Sequence, residues 1–535
     1  MHRRKPVAAW IRVLTLWTAC GLAWTPSARA DPQSEPAPLQ EAWYVVLLGD
    51  QRAGYVHRRE ARAGDQIVTW TTLRVRVGRG DAEIEIASDT SFVETAAGEP
   101  VRAESSLGLG GRGGEPIVTV LDFQGQTVRV TTRQGRRVEE TERPAPEVAW
   151  LPPAAGTRHV EAELQRGAEE IRVTTIDPAL GLEPFTTTMR IRDREPVEVF
   201  GRTVEAWVWD ATASNLPGIR MREYVGDAGE ALKSTISLLP GMEMTILAAD
   251  RALALSKLDP PEIMAATLIE PDPGGVAINN PRTLSVGVYD IELPAGAALP
   301  ITGAQSVRTI EDAALPEGRR RWRVTVQRAP PPTRRAVKPK PADPDTPLAA
   351  HTEPSGILDF RHEAVAELAR LFEKNHRDVS QMTQAGLAEA LRRFVFEVID
   401  HKDLSVGFAT ASETAATQRG DCTEHAVLLA ALLRTYDVPS RGVSGLVYVD
   451  QFLGRRGVFG YHMWTQAWLD PDGSEGPAPP RWVDLDAALD PERSFDATHL
   501  ALAVDDLNAA TPLNQLVELT PVMGRLELRV LRAEP

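Results

Sequence analysis

The feature that most constrains this fold is a change of hydrophobic periodicity across a proline-rich stretch. Before about residue 328, apolar and polar residues alternate in short runs, which is typical of strands, whereas from about residue 357 apolar residues recur three and four positions apart, as in helices. Residues 329–356 combine prolines with Lys and Arg and predict an extended linker. Because 535 residues are too many for one core, we predict a multidomain protein, with N-terminal all-β antiparallel domains before an α+β domain.

The β-rich part reads as a series of hairpins. Residues 73–77 and 82–86 alternate on either side of a glycine-containing turn, and similar pairs follow. This spacing predicts an antiparallel β domain over 31–258, in the form of a curved sheet, half-barrel or sandwich. A smaller β domain is predicted over 259–328, and a closing strand over 506–535.

The charge of the chain bears on its partners. The formal net charge is −15, and residues 1–30 contain five basic residues and no acidic one, so a chain without them carries about −20. Such a surface argues against nucleic acid or an anionic membrane as a partner.

The N-terminus has the three parts of a secretory signal peptide. Arg3-Arg4-Lys5 is the charged part, residues 13–24 are apolar, and Ala28-Arg29-Ala30 fits a cleavage site. The alternative is an uncleaved anchor, but the apolar run is shorter than the roughly 20 residues of a membrane span. We therefore predict a signal peptide at 1–30 and a periplasmic or secreted protein that is not inserted in a membrane.

Cys422 is the only cysteine that remains when Cys20 leaves with the signal peptide. Asp421 is a suitable N-cap and Glu424 completes a capping-box pattern, so Cys422 is predicted at the first position of a helix. The partial positive charge at a helix N-terminus favours a thiolate. Cys422 is therefore a candidate nucleophile, and the alternative is a buried structural cysteine.

A histidine and two aspartates follow in the order expected of a cysteine acyl-transfer site. His462 lies in a predicted strand and shares a face with Trp464, and its alternative role is structural. Asp484 and Asp486 both lie on one face of a later strand, so periodicity does not choose between them. His425, one turn after Cys422 on the same helix, is the alternative base. A neighbour on the same helix is poorly aligned with both the thiol and a substrate, so we expect His425 to be structural or to support the site residues.

These segments together resemble the transglutaminase-like superfamily, of papain-like fold, over roughly 357–505. The residues that carry the resemblance are Gly420-Asp421-Cys422-Thr423-Glu424-His425-Ala426, Gly460-Tyr461-His462-Met463-Trp464 and Trp482-Val483-Asp484-Leu485-Asp486-Ala487. The family pattern points to Asp486 rather than Asp484 as the catalytic acid. Ala487 stands where the family often has proline, so the third motif is the loosest.

The resemblance implies a mechanism on peptide or protein amides. The Cys422 thiolate attacks the carbonyl, and His462, oriented by Asp486, protonates the leaving amine. The Cys422 N–H donates to the oxyanion, Gln418 is our candidate for the second donor, and Trp464 is the other candidate substrate-binding residue. Water or an amine then resolves the thioester, which makes the protein a protease or amidase, or a transglutaminase-type enzyme.

No cofactor or metal is predicted, because the sequence has neither an EF-hand loop nor a His-Glu-x-x-His motif. The main alternative is a catalytically silent transglutaminase-like scaffold or binding protein of the cell envelope. A zinc-dependent hydrolase is a third reading, which the lack of zinc-ligand spacing disfavours.

Overall fold

The computed structural model describes residues 38–535 with internal gaps. The gaps are residues 81, 111–115, 136, 200, 217–218, 228, 240–241, 263, 313–314, 329–347, 402–408, 470–479, 490–491 and 508–521. The predicted signal peptide and most of the predicted linker therefore lie outside the described residues. The chain forms two compact units, one of residues up to 78 with Glu83–Glu262, the other of Arg79–Ala82 with Ile263–Pro535.

The first unit is built on a 14-stranded antiparallel sheet. Its strands are β1 Pro38–Leu48, β2 Gln51–Ala63, β3 Gln66–Arg79, β4 Ala82–Thr95, β5 Pro100–Gly110, β6 Ile117–Gln124, β7 Thr127–Gln134, β8 Arg137–Pro144, β9 Glu170–Thr175, β10 Phe185–Val199, β11 Arg202–Ala213, β12 Met221–Val225, β13 Ala231–Leu239 and β14 Met242–Ala249. Two meanders, β8 to β1 and β14 to β9, join where β1 pairs with β14.

The predicted antiparallel β architecture is confirmed in this unit. The register of β6 and β7 pairs Leu121 with Val130, and buried residues alternate along most strands, as a sheet with one covered face requires. The described residues of this unit also form two α-helices, α1 Pro153–Gln165 and α2 Arg251–Ala254. The α1 helix was not predicted, because it begins at a proline and its sequence carries little apolar periodicity.

Among its described residues, the second unit contains two four-stranded sheets and five α-helices. One sheet has the order β16-β17-β15-β22 and the other β20-β19-β18-β21. Their strands are β15 Val286–Pro294, β16 Gln305–Ile310, β17 Arg319–Gln327, β18 Ser440–Phe452, β19 Arg455–Leu469, β20 Arg481–Leu485, β21 Leu500–Asp505 and β22 Glu527–Glu534. The helices are α3 Met264–Thr267, α4 Glu363–Asn375, α5 Gln384–Val398, α6 Ala411–Thr417 and α7 Cys422–Thr435.

The C-terminal strand returns to the sheet formed by the earlier residues of this unit. β22 pairs with β15, placing Val530 opposite Tyr289. Tyr289 and Trp464 of β19 lie in one hydrophobic cluster. The residues predicted as a separate small β domain thus share a core with the helix-and-sheet region.

Helix α7 is the buried centre of the helical layer. Every residue from Ala426 to Leu433 is buried, and each Leu contributes roughly 1.5–3 kcal/mol of burial free energy. The Thr465 hydroxyl of β19 donates to the Ala426 carbonyl at 2.9 Å. These contacts fix the start of α7 against β19. No helix of the described residues is long and apolar enough to cross a membrane.

Candidate active site

The start of α7 has the predicted capping box. The Asp421 carboxylate accepts from the Thr423 N–H at 2.9 Å, and the Glu424 carboxyl accepts from the Asp421 N–H at 2.9 Å. Glu424 also accepts from the Ala409 N–H at 3.0 Å. Cys422 is the first helical residue, as predicted, and its own N–H has no acceptor among the described residues.

The residue two positions before Cys422 must be a glycine. Gly420 has φ +152°, and a Cβ atom there would lie 2.3 Å from the Glu424 Cβ atom. Because Glu424 is fully buried and bonded at both carboxyl oxygens, it has no room to move away. The glycine thus lets the chain turn tightly into α7.

His462 and Asp486 form the hydrogen bond that the family resemblance implies. His462 donates from Nε2 to Asp486 Oδ2 at 3.0 Å, and both side chains are buried. Burial alone would raise the pKa of Asp486. The charges and hydrogen bonds of His462 and His499 outweigh burial and hold this pKa well below its usual range. Asp486 is therefore an ionised acceptor.

Asp484 and Asp486 have different partners, although sequence periodicity did not separate them. Asp484 stays in the ladder of β20 opposite Gln466. Its Oδ1 atom accepts from Trp464 Nε1 at 2.8 Å and from Gln466 Nε2 at 2.6 Å. Asp486 follows the last residue of β20, and its carboxylate reaches His462 instead.

The Cys422 thiol is half-buried and next to the strand that holds His462. Met463, the residue after His462, belongs to the hydrophobic cluster against which Cys422 packs, and its backbone N–H acts to lower the pKa of the Cys422 thiol. Burial nevertheless raises the pKa of the Cys422 thiol well above its ordinary value, and the Asp421 carboxylate adds to this. The expected stabilisation of the thiolate by the helix terminus alone is thus outweighed, and in the described residues no hydrogen bond joins the thiol to His462.

His499 is a site residue that sequence analysis missed. Its Nε2 atom lies 3.1 Å from Asp486 Oδ2, the oxygen that His462 also contacts. Its Nδ1 atom lies 3.0 Å from the Asp496 carbonyl oxygen. Burial acts to lower the pKa of His499, but Asp496 and Asp486 together raise it to about 9.

Three side chains of the site form a cluster whose composition suits a metal ion. His462, Asp486 and His499 each offer a ligand atom, and these atoms lie within 4.8 Å of one another. The distances of 3.0 and 3.1 Å to Asp486 Oδ2 are those of hydrogen bonds. In this structure, Asp486 is a carboxylate shared between two imidazoles.

The other predicted site residues are placed as follows. Trp464 is 1% exposed, and its indole N–H donates to Asp484. Its ring lies nearly parallel to that of His462, with the ring centroids 6.2 Å apart. Trp464 thus lies behind His462, in the interior of the domain. Gln418 has a left-handed backbone at the end of α6, and its half-buried side chain makes no hydrogen bond with the described residues. His425 is buried and its Nδ1 atom contacts the Asp421 carbonyl oxygen at 2.5 Å, which is a structural arrangement.

A comparison with protein families identifies the domain around this site. Residues 375–487 match the model of the transglutaminase-like superfamily, and this stretch contains Cys422, His462 and Asp486. The resemblance read from the motifs is confirmed: the chain carries a transglutaminase-like domain after its large antiparallel sheet. A search of curated proteins found no match to this sequence.

Three solved structures show distant likeness. A β-barrel-like protein of the domain of unknown function DUF1849 from Brucella abortus is 14% identical, with a TM-score of 0.30, over 39% of this chain and 95% of that one. A "putative cysteine protease" from Cytophaga hutchinsonii is 14% identical, with a TM-score of 0.27, over 47% and 85%. A "putative protease" from Parabacteroides distasonis is 13% identical, with a TM-score of 0.16, over 68% and 64%. Because these TM-scores are low, nothing about this chain is inferred from them.

Proposed function

We propose that this protein is an exported cysteine acyl-transfer enzyme, of the protease, amidase or transglutaminase type, that acts on peptide or protein amides. One observation carries the proposal. His462 is bonded to the ionised Asp486, and the next residue, Met463, belongs to the hydrophobic cluster against which Cys422 packs at the start of α7. A nucleophile, a base and the group that orients the base thus lie together in a transglutaminase-like domain.

The proposed chemistry assigns each proton. Because Nε2 of His462 is bonded to Asp486, Nδ1 is the nitrogen left to take the thiol proton. The thiolate attacks the amide carbonyl carbon, and the C–N bond breaks as His462 returns the proton to the leaving amine. Water or an amine then attacks the thioester and releases an acid or a new amide, and the thiol is restored.

The oxyanion of the tetrahedral intermediate needs donors that are not otherwise engaged. The Cys422 N–H at the tip of α7 is one, since it has no acceptor among the described residues. Gln418, four residues earlier, stays our proposed second donor. Because the ring of Trp464 is buried, we propose that it contributes to substrate binding only indirectly, by packing behind His462.

The raised pKa of the thiol gives His462 a definite task. A thiol that burial and Asp421 keep protonated does not ionise by itself at neutral pH. The proton must move to His462, whose imidazolium is stabilised by Asp486. The nucleophile is therefore an ion pair of Cys422 and His462, whose contact tightens when substrate binds, as is common for catalytic hydrogen bonds.

Export is proposed from the N-terminal sequence, with its basic start, apolar run and Ala28-Arg29-Ala30. N-terminal sequencing of the protein recovered from the periplasm or medium tests it. We expect the first residue to be Asp31. Recovery of the protein only inside the cell, with residues 1–30 still attached, would contradict export.

The proposed activity is tested by trapping the thioester. Residues 31–535 are incubated with a library of peptide amides, with or without a primary amine, and the intact protein is measured by mass spectrometry. We expect an acyl adduct on Cys422 that hydroxylamine removes, absent in Cys422→Ser, while the released product distinguishes hydrolysis from amine transfer. The absence of any adduct, together with thiol reactivity that His462→Ala does not change, would contradict the proposal.

The silent scaffold is the second candidate. On its side stand the burial that raises the pKa of the Cys422 thiol and the lack of a hydrogen bond between Cys422 and His462 among the described residues. A scaffold needs no proton transfer between the two side chains. It therefore predicts that His462→Ala leaves the reactivity of Cys422 unchanged.

A further inference from the structure

His499 is unexpected because the catalytic order of cysteine, histidine and aspartate does not include it. Asp486 accepts from two imidazoles at one oxygen, at 3.0 Å from His462 and 3.1 Å from His499. The ring centroids of the two histidines lie 5.7 Å apart. His499 therefore acts on the same carboxylate that orients His462.

The surroundings of His499 require a proton on each of its ring nitrogens. Nε2 faces the ionised carboxylate of Asp486, and Nδ1 faces the carbonyl oxygen of Asp496. Both are acceptors without a proton to donate, so both nitrogens must be donors, which only the imidazolium form allows. The carboxylate of Asp496, 3.4 Å from Nδ1, supplies further negative charge.

The charged and titratable groups around His499 favour this cation. Two carboxylates contact it, and Asp484 is close enough for its charge to couple with that of His499. Arg282 is the opposing charge, but it is engaged with Asp496 at 2.7 Å. The groups that face His499 are thus Asp484, Asp486, Asp496, His462 and, behind Asp496, Arg282.

We propose that His499 is a positioning residue of this site. As a second cation beside Asp486, His499 holds that carboxylate in place and limits how strongly it can favour the imidazolium of His462. A carboxylate that faces one histidine strongly favours its protonated form. When a second cation shares the same oxygen, much of that negative charge is neutralised. His499 thereby weakens the hold of Asp486 on the proton that His462 passes to the leaving amine.

This proposal rests on the proposed function, since it acts through His462. Two substitutions separate the parts of the role. His499→Gln keeps an N–H that can reach Asp486 but removes the charge, whereas His499→Ala removes both. The control is His376→Gln, at the end of α4, a half-buried histidine whose ring contacts Phe372.

The assay is the rate of iodoacetamide alkylation of Cys422 against pH, which needs no substrate. The pH profile of this rate reports the ionisation of the coupled pair of Cys422 and His462. His499→Gln removes a unit charge from a ring whose centroid lies 5.7 Å from that of His462. With an effective dielectric constant between about 20 and 80, this predicts that the pH profile shifts upward by about 0.5 to 2 pH units. His499→Ala is expected to shift in the same direction and also to lower the maximal rate, because Asp486 loses a positioning donor.

The outcomes separate this proposal from the function on which it rests. If His462→Ala changes the profile but His499→Gln coincides with wild type and with His376→Gln, the role of His499 is wrong and the proposed function stands. If His462→Ala changes nothing, both fail.

A second measurement covers the case in which the His499 variants do not fold. In ¹⁵N-histidine-labelled protein, NMR of His462→Ala should show one histidine that keeps both ring protons at pH 8. A spectrum in which no histidine does so would overturn the proposal.

Discussion

Gly420→Ala tests how tightly the chain is held where it turns into α7. The added methyl group would lie 2.3 Å from the Cβ atom and 2.5 Å from the Cγ atom of Glu424. Glu424 is fully buried, and its carboxyl is bonded to the N–H groups of Ala409 and Asp421. The clash therefore cannot be relieved without loss of one of those bonds.

The magnitude follows from two separate costs. A non-glycine residue at φ +152° costs about 1–3 kcal/mol, and the forced overlap costs about 1–3 kcal/mol more. The expected loss in the free energy of unfolding is thus about 2–6 kcal/mol. The matched control is Gly454→Ala, in the turn between β18 and β19, which has φ +78° and no atom within 4 Å of the added methyl group. It should show the backbone cost alone, about 1–3 kcal/mol.

Hydrogen exchange of peptides from α7 is the suitable assay, because it reports the stability of this domain separately from the large sheet. We expect the exchange protection of α7 to fall clearly further in Gly420→Ala than in Gly454→Ala. Equal loss in the two variants would refute the steric account of this turn.

Three further predictions concern the buried polar groups. The folded pKa of His499 is raised to about 9 from an unfolded value of 6.5, so its contribution to stability is complete below about pH 6.5 and is lost as pH rises through 9. Hydrogen exchange should show a loss of up to about 3 kcal/mol in the free energy of unfolding over this range. An equal loss in His499→Gln would contradict the prediction. Trp464→Phe removes the donor to Asp484 and should cost about 1–3 kcal/mol by urea unfolding of this domain; an unchanged stability would speak against that bond. Asp486→Asn should lower the alkylation rate of Cys422 at pH 7 by about tenfold or more, and an unaltered rate would exclude its role on His462.

Much of the local structure around Cys422 was predictable because it is encoded within a few residues. Asp421 and Glu424 are the two ends of a capping box, and that pattern alone predicted where α7 begins. The strand of His462 followed in the same way from alternation. The turn at Gly420 was not predicted, since its need arises from the packing of Glu424.

The choice between Asp484 and Asp486 is one that strand periodicity cannot make. The two residues are two positions apart, so alternation places them on the same strand face. Only the resemblance to the family favoured Asp486. In the structure β20 ends at Leu485, so Asp484 keeps the direction set by the ladder while Asp486 does not. The end of a strand is among the least predictable features of a sequence.

His499 could not be found from the sequence because nothing local marks it. It lies 13 residues after Asp486, beyond the end of β20 and just before β21. β21 pairs with β18, placing Leu500 opposite Leu446, and this pairing brings His499 to the site. The high pKa of the Cys422 thiol was likewise hidden, since its main cause is burial in the folded domain.

The most direct test of the central claim is the pH dependence of iodoacetamide labelling of Cys422 in wild type and in His462→Ala. The account predicts labelling of the wild-type thiol at neutral pH, because its proton passes to His462. In His462→Ala, burial and Asp421 should delay labelling to pH values above the ordinary thiol pKa of about 8.5. Identical profiles in the two proteins would contradict the pairing of Cys422 with His462 and favour the silent scaffold.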